Sequence, residues 1–448
     1  MDWHPLTLLF AAGLVASVGL RLWLLSRQMR HVARHAHEVP EAFAATVTPK
    51  AHLKAANYTL AKGRLAMVSL LFGSVVLVAW TLFGGLDLLQ GTVRPMVEGV
   101  VPESMSDLAV QLALLGAFAL IAMLIDLPLE AYGTFVVEER FGFNRMTWRL
   151  FAADIARGIV LGLALGAPLA LVMLWLMAAA GDAWWLWAWG VWTGFGLLMV
   201  VLYPTVIAPM FNRFEPLADA ALRARIEALM QRCGFSSKGL YVMDGSRRSG
   251  HGNAYFTGLG SAKRVVFFDT LLARLDPGEV EAVLAHELGH YRRRHIVQRL
   301  ALSAAVSFCG FALLGWLSGQ PWFYTALGVG PSMTSSNDAL ALLLFLLVVP
   351  VFTFFVTPLM SALSRRHEFE ADAYACEQAS RRDLASALLK LHRDNASTLT
   401  PDPWYARFHY SHPPAVERLN AILASAPVAP VVATPSPPLS ETLLENRR

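Results

Sequence analysis

The residues of this chain that could do chemistry together are concentrated in His286-Glu287-Leu288-Gly289-His290, a His-Glu-x-x-His pattern preceded by the apolar Val283, Leu284 and Ala285. On an α-helix, residues four apart share a face, so both imidazoles can reach one Zn²⁺ at about 2.0 to 2.1 Å from each nitrogen. A zinc of this kind keeps a position for water, lowers the pKa of that water to roughly 7, and needs a carboxylate to take the proton. Glu287 stands beside both histidines, and Gly289 adds close backbone approach rather than packing bulk. The chemistry expected is zinc-assisted hydrolysis.

Such a centre needs a third protein ligand. His295 is the next histidine along, but the long form of the motif would place it at 296, which is Ile, and would want Gly at 293, which is Arg. The alternative is the run Ser364-Arg365-Arg366-His367-Glu368-Phe369-Glu370-Ala371-Asp372, expected to be a helix continuing out of a membrane span. Glu368 and Asp372 share one face of it, which offers a ligand and a supporting carboxylate together; spacing alone leaves Glu370 and His367 open.

The elements that must position these residues are membrane helices. The chain is 55% hydrophobic and 16% charged, with a mean hydropathy of +0.46, outside the range of a soluble globular domain. Apolar runs long enough to span fall at 5–25, 65–86, 108–129, 151–178, 185–208, 298–318 and 339–361. The first is an uncleaved span, since Arg21 and Arg27 follow its apolar run instead of preceding it. Orientation follows the basic residues: Arg27, Arg30, Arg34, Lys50, Lys54 and Lys62 in the first loop and Arg140, Arg145 and Arg149 in the third face Arg94 alone in the second. This puts the N-terminus outside and both large polar segments, 209–297 and 362–448, on the cytoplasmic side. The net charge of +4 serves that topology and the inner membrane surface, so no nucleic-acid partner is expected.

Within 215–297, Ala218 to Cys233 reads as a helix, followed by strand-like runs at Leu240–Met243 and Lys263–Phe268 with extended Asn253-Ala254-Tyr255-Phe256 between them. A small sheet ahead of the histidine helix suits a peptidase, because an edge strand can hold an extended peptide. Other clusters read as structural. His31, His35 and His37 lie among Arg27, Arg30 and Arg34 in a basic juxtamembrane helix; Cys233, Cys309 and Cys376 lack ligand spacing; Trp184, Trp185, Trp187, Trp189 and Trp192 form an interfacial belt. Residues 425–448, rich in Pro, Ala and Val, read as a disordered tail.

His286–His290 together with Glu368-x-x-x-Asp372 after a span resembles the CAAX prenyl protease 1 family of integral-membrane zinc metallopeptidases. Glu138 to Asn144, His251 to Phe256, Arg264 to Leu271, and Tyr410-Ser411-His412-Pro413-Pro414 with Glu417-Arg418 are similar to further family segments, so the likeness covers about 50–424. The family commonly has Ser where this chain has Gly252, and the Pro-rich tail has no family counterpart.

The resemblance implies seven long helices around an aqueous chamber, with a small α+β zinc metallopeptidase domain on the cytoplasmic side. It also implies one Zn²⁺ per chain on His286, His290 and Glu368, Glu287 as general base, and Asp372 as proton donor or supporting partner. His412 is implied at the oxyanion, and Asn253, Ala254 and Tyr255 against the substrate backbone. The expected organisation is 1–208 with five spans, 209–297 with the histidine helix, 298–361 with spans six and seven, 362–424 with the third ligand, and the tail. Short outer loops and Ala/Leu/Arg-rich spans point to a bacterial inner membrane, where prenylation is not expected. Three functions therefore stand: CAAX-type C-terminal processing, quality-control cleavage of misfolded or stalled membrane proteins, and a non-enzymatic transporter-like or scaffold protein with structural zinc.

Overall fold

The computed structural model describes residues 4–236, 239–257 and 264–424; the expected tail and Lys263 lie outside them. Among the described residues, seven helices are long and apolar enough to cross a membrane. They are α1 (Pro5–Arg34), α2 (Pro49–Trp80), α3 (Glu103–Glu138), α4 (Trp148–Ala179) and α5 (Gly181–Phe211), then, beyond a polar segment containing α6 (Ala220–Arg232) and α7 (Pro277–Arg292), α8 (His295–Ser318) and α9 (Asp338–Gln378). Each contains one of the seven expected spans or most of it. Val15, Val75, Leu124, Trp187, Leu198 and Leu359 are exposed along them, as side chains that face lipid must be. The inner faces pack Phe10, Leu114, Leu174, Leu340 and Leu344 into one core.

The second span differs from expectation at its start. Hydropathy places it from 65, but the helix begins at Pro49, where the Thr48 hydroxyl accepts the Ala51 N–H at 3.2 Å. Capping and proline at the first position set a helix start, whereas hydropathy senses only where the chain turns apolar. Lys50, Lys54 and Lys62 therefore ride on the helix and not in a loop. The seventh span behaves as expected at its other end: apart from a 3₁₀ turn at Phe354–Val356, it continues as helix through the polar 362–378 segment.

The small sheet has the order β1-β2-β4-β3, with β1 at Phe214–Pro216, β2 at Leu240–Met243, β3 at Ala254–Thr257 and β4 at Arg264–Phe268. β2 and β4 run parallel, pairing Leu240 with Val265, while β3 lies antiparallel on β4, pairing Ala254 with Phe267. That leaves β3 as an edge strand. The loop 138–144 is bound to the turn before it: Gly250 donates its N–H to Phe143 O at 3.0 Å, and the Phe143 ring stacks on His251 at 4.3 Å. Asp154, near the start of α4, pairs with Arg157 at 2.8 Å and with Arg248 at 2.9 Å, tying that helix to the same turn.

α7 starts at a capping box. The Glu279 carboxylate accepts the Asp276 N–H at 2.8 Å, and Lys390 of α10 (Arg381–Asp394) bridges both acids at 2.8 and 2.7 Å. α11 (Pro403–His409) and α12 (Ala415–Ala424) are the last helices among the described residues. The buried Leu284, Ala285 and Leu288 of α7 join Ile226 and Leu229 of α6, Ala375 of α9, Ala387 of α10 and Leu419 of α12 in a second core.

α7 and α9 cross at Gly289, where a β-carbon would lie 2.9 Å from both the Cα and the carbonyl oxygen of Ala371. Both obstacles are backbone, so neither can swing aside. Alanine at 289 gains about 1 kcal/mol of helix propensity but overpacks at a cost of about 1–3 kcal/mol. Gly289→Ala is expected to lower the Tm in detergent and to purify with less metal, as read by thermal unfolding and elemental analysis. A variant as stable and as metal-rich as the parent would show that the two helices can part without consequence.

Candidate metal centre

The α7–α9 crossing sets His286 and His290 opposite Glu368. His286 Nε2 lies 3.4 Å from Glu368 Oε2, and His290 Nε2 lies 3.3 Å from Glu368 Oε1. Among the described residues, these are the one set of three or more His, Cys, Asp or Glu whose donor atoms converge, all within 4.8 Å of one another. Glu368 Oε2 is buried without a hydrogen-bond partner, and a buried carboxylate oxygen with nothing to accept from is what a cation would satisfy. Two imidazoles and one carboxylate are also the donor types zinc takes in hydrolytic sites. The residues present fit the ion.

Of the alternatives that spacing left open, only Glu368 brings an oxygen to the histidine Nε2 atoms. Glu370 turns to Arg366 at 2.9 Å, and His367 stacks on His295 with ring centroids 3.9 Å apart. Asp372 approaches His286 from the far side, its Oδ1 2.8 Å from Nδ1. Arg418 of α12 grips that carboxylate with two hydrogen bonds, Nη2 to Oδ1 at 2.6 Å and Nε to Oδ2 at 2.8 Å. The residue enters the sequence reading only as part of a C-terminal pattern. It is buried; burial opposes its charge, but Asp372 and Glu368 outweigh that and hold its pKa above the usual arginine value. Separated from His286 by 132 positions, it leaves no trace in local spacing.

Burial pushes the Glu287 carboxyl above the ordinary carboxylate range, with Glu368 adding to the effect and the neighbouring histidines opposing it. At His286 burial works toward the neutral ring, but the nearby Asp372 and Glu368 carboxylates prevail and raise its pKa to about 9. His412 places Nε2 3.5 Å from Glu368 Oε1 and is otherwise exposed.

Two cavities meet at this point. One of about 820 Å³ is lined by Gln28 of α1, Tyr58 of α2, Asn253, His286 and His392, and one of about 500 Å³ by Tyr203 of α5, Tyr255, His290 and Arg299. Glu287, Glu368, Ala254 and His412 border both. Asn253 lines the first cavity, Tyr255 the second and Ala254 both, while Asp372 reaches the centre through His286. Gly252 is buried here too, and a β-carbon would meet Leu271 Cα at 3.4 Å, the near limit of ordinary contact.

Residues 28–213 match the family model described as CAAX prenyl protease N-terminal, five membrane helices, and residues 216–426 match that of Peptidase family M48. CAAX prenyl protease 1 of Saccharomyces cerevisiae is 33% identical over 437 residues, 93% of this chain and 95% of the yeast protein. The human CAAX prenyl protease 1 homolog is 30% identical over 455 residues, 92% of this chain and 95% of its own. The crystal structure of S. mikatae Ste24p superposes with a TM-score of 0.86 at 31% identity, over 94% of this chain and 100% of that one. These relatives are eukaryotic and lend no support to the expected bacterial membrane. With both of its parts matched and with relatives along nearly its whole length, the chain belongs to the CAAX prenyl protease 1 family of multi-pass membrane zinc metalloendopeptidases.

Proposed function

We propose that this chain removes C-terminal residues from CAAX-type polypeptides at the centre formed by α7 and α9, with His286, His290 and Glu368 as the zinc ligands. The observation that carries the reading is the convergence of those three donors where two cavities meet beside an edge strand. The substrate class comes from the relatives, which are named as CAAX prenyl proteases. A zinc ion held there supplies Lewis-acid chemistry, polarising the scissile carbonyl and acidifying water.

The chain's own groups do the rest. An extended peptide crossing from one cavity to the other pairs its backbone with the free edge of β3 at Ala254 and Tyr255, and Asn253 aligns the residue before the scissile bond. Glu287, its carboxyl raised by burial, takes the proton from the attacking water and delivers it to the leaving amine nitrogen. His412 donates from Nε2 to the oxygen that gains charge. Both oxygens of Asp372 are engaged by Arg418 and one also by His286, so Asp372 is assigned to holding the His286 ring rather than to proton donation. The segments 209–297 and 362–424 act as one catalytic unit across the intervening spans.

The centre is proposed to face the cytoplasm, with the N-terminus outside. Met333, 92% exposed in the loop between α8 and α9, then lies outside, and Arg407 in α11 inside. In sealed right-side-out vesicles carrying Met333→Cys or Arg407→Cys in a background with Cys233, Cys309 and Cys376 replaced by Ala, an impermeant thiol reagent added outside should label only the first; the opposite pattern inverts the topology.

Glu287→Gln separates binding from chemistry. It should retain zinc at the parental level while cleavage of a CAAX-type peptide falls by about 10²-fold or more, as loss of a general base requires. Equal zinc with unchanged cleavage would remove Glu287 from its role. Parent protein that cleaves unrelated unfolded peptides as well as CAAX-type ones would defeat the substrate assignment and favour quality control.

A further inference from the structure

His295, unsuited to the ligand motif by its spacing, lies against His290. The His290 ring turns Nε2 toward Glu368 and places Nδ1 2.9 Å from His295 Nδ1; His295 Nε2 in turn lies 3.1 Å from Glu370 Oε2. Two ring nitrogens this close share one proton. If Nε2 of His290 is a metal donor, its proton sits on Nδ1 and is donated to His295 Nδ1. The His295 proton is then on Nε2, where the Glu370 carboxylate accepts it. This assignment of protons satisfies every contact and leaves Nε2 of His290 with a free lone pair.

The backbone is bent to make this possible. In a continuous helix, residue 295 would point about 140° away from residue 290. Instead α7 ends at Arg292, Arg294 adopts the left-handed conformation with φ +58°, and α8 begins at His295. Apart from Ala396, Arg294 is the one non-glycine residue with positive φ among those described, and side chains rarely tolerate that region without a compensating gain. The returned His295 ring is 1% exposed. It is clamped by His367, stacked on it at 3.9 Å with the planes 9° apart, while Arg366 holds Glu370 at 2.9 Å.

The geometry points to His295 and Glu370 as positioning residues of the zinc centre, a two-step relay that fixes the tautomer and ring plane of His290 as the Asp372–Arg418 pair fixes His286. The inference rests on the proposed assignment of His290 as a zinc ligand. Partners that orient a metal-bound histidine typically change metal affinity by 10- to 100-fold when removed. His295 and Glu370 are thereby given work that neither ligation nor packing explains.

The test measures zinc affinity of full-length protein in detergent by competition with a chromogenic chelator, and the visible spectrum of the Co²⁺-substituted protein. His295→Phe, which keeps the stack on His367, should weaken zinc by 10- to 100-fold and alter the Co²⁺ bands. His295→Asn, whose amide oxygen can occupy the place of Nδ1, should recover at least half of that loss on a logarithmic scale. Glu370→Ala, at a partly exposed position that threatens folding less, should weaken zinc by threefold or more. The proposal is overturned if His295→Phe stays within threefold of the parent with an unchanged spectrum, or if His295→Asn is as weak as His295→Phe. It also falls if Glu370→Ala leaves affinity unchanged. His290→Ala is the control: if that variant binds zinc as the parent does, the ligand assignment itself fails, whereas loss of zinc there with a normal His295→Phe condemns only the relay.

Discussion

The approach of two helix backbones at Gly289 and Ala371 is the constraint on which the rest depends. A side chain at 289 would find backbone atoms at 2.9 Å, so the helices can lie this close only with hydrogen there. Helices usually pack with axes 8–10 Å apart, set by the side chains at the contact; small residues bring this pair together, and the short carboxylate of Glu368 then reaches both imidazoles. A carboxylate 78 residues beyond His290 meets two imidazoles of one helix because one position lacks a methyl group.

That convergence concentrates charge in a buried place, and the fold answers it symmetrically. Glu368 and Asp372 are 2% and 3% exposed, and isolated carboxylates at such depth would be strongly unfavourable. Arg418 supplies a cation from α12, with Nη1 3.6 Å from Glu368 and two bonds to Asp372. The chain's final described helix therefore closes the electrostatics of a centre begun at residue 286. A planar, permanently charged guanidinium suits the task, because it meets a carboxylate edge-on with two donors and has more to spare for a second.

Much of this was legible in the sequence because it is periodic or compositional. His286 and His290 at helical spacing, seven apolar runs, and Glu368 four residues before Asp372 are all local patterns. The edge position of β3 was half legible: extended character at Asn253 to Phe256 could be read, whereas its place outside β4 is a matter of topology. The start of α2 was not, since hydropathy is blind to a helix that begins 16 residues before its apolar face. Arg418 and His295 escaped for different reasons. The first acts across more than a hundred residues, and the second acts through a backbone reversal at Arg294 that helical periodicity treats as impossible.

Glu368, though its helix packs on α7 and Arg418 lies 3.6 Å from it, stands on the same helical rod that crosses the membrane as α9. Seven residues beyond the apolar run, at 1.5 Å per residue, it sits on a lever of about 10 Å. A rod tilted by about 5° moves the carboxylate by roughly 1 Å, twice the tolerance of about 0.5 Å that a working constellation allows. Span tilt responds to the thickness of the surrounding hydrocarbon. Any change of span tilt that the packing on α7 did not absorb would therefore be carried from the bilayer to one of the three donors.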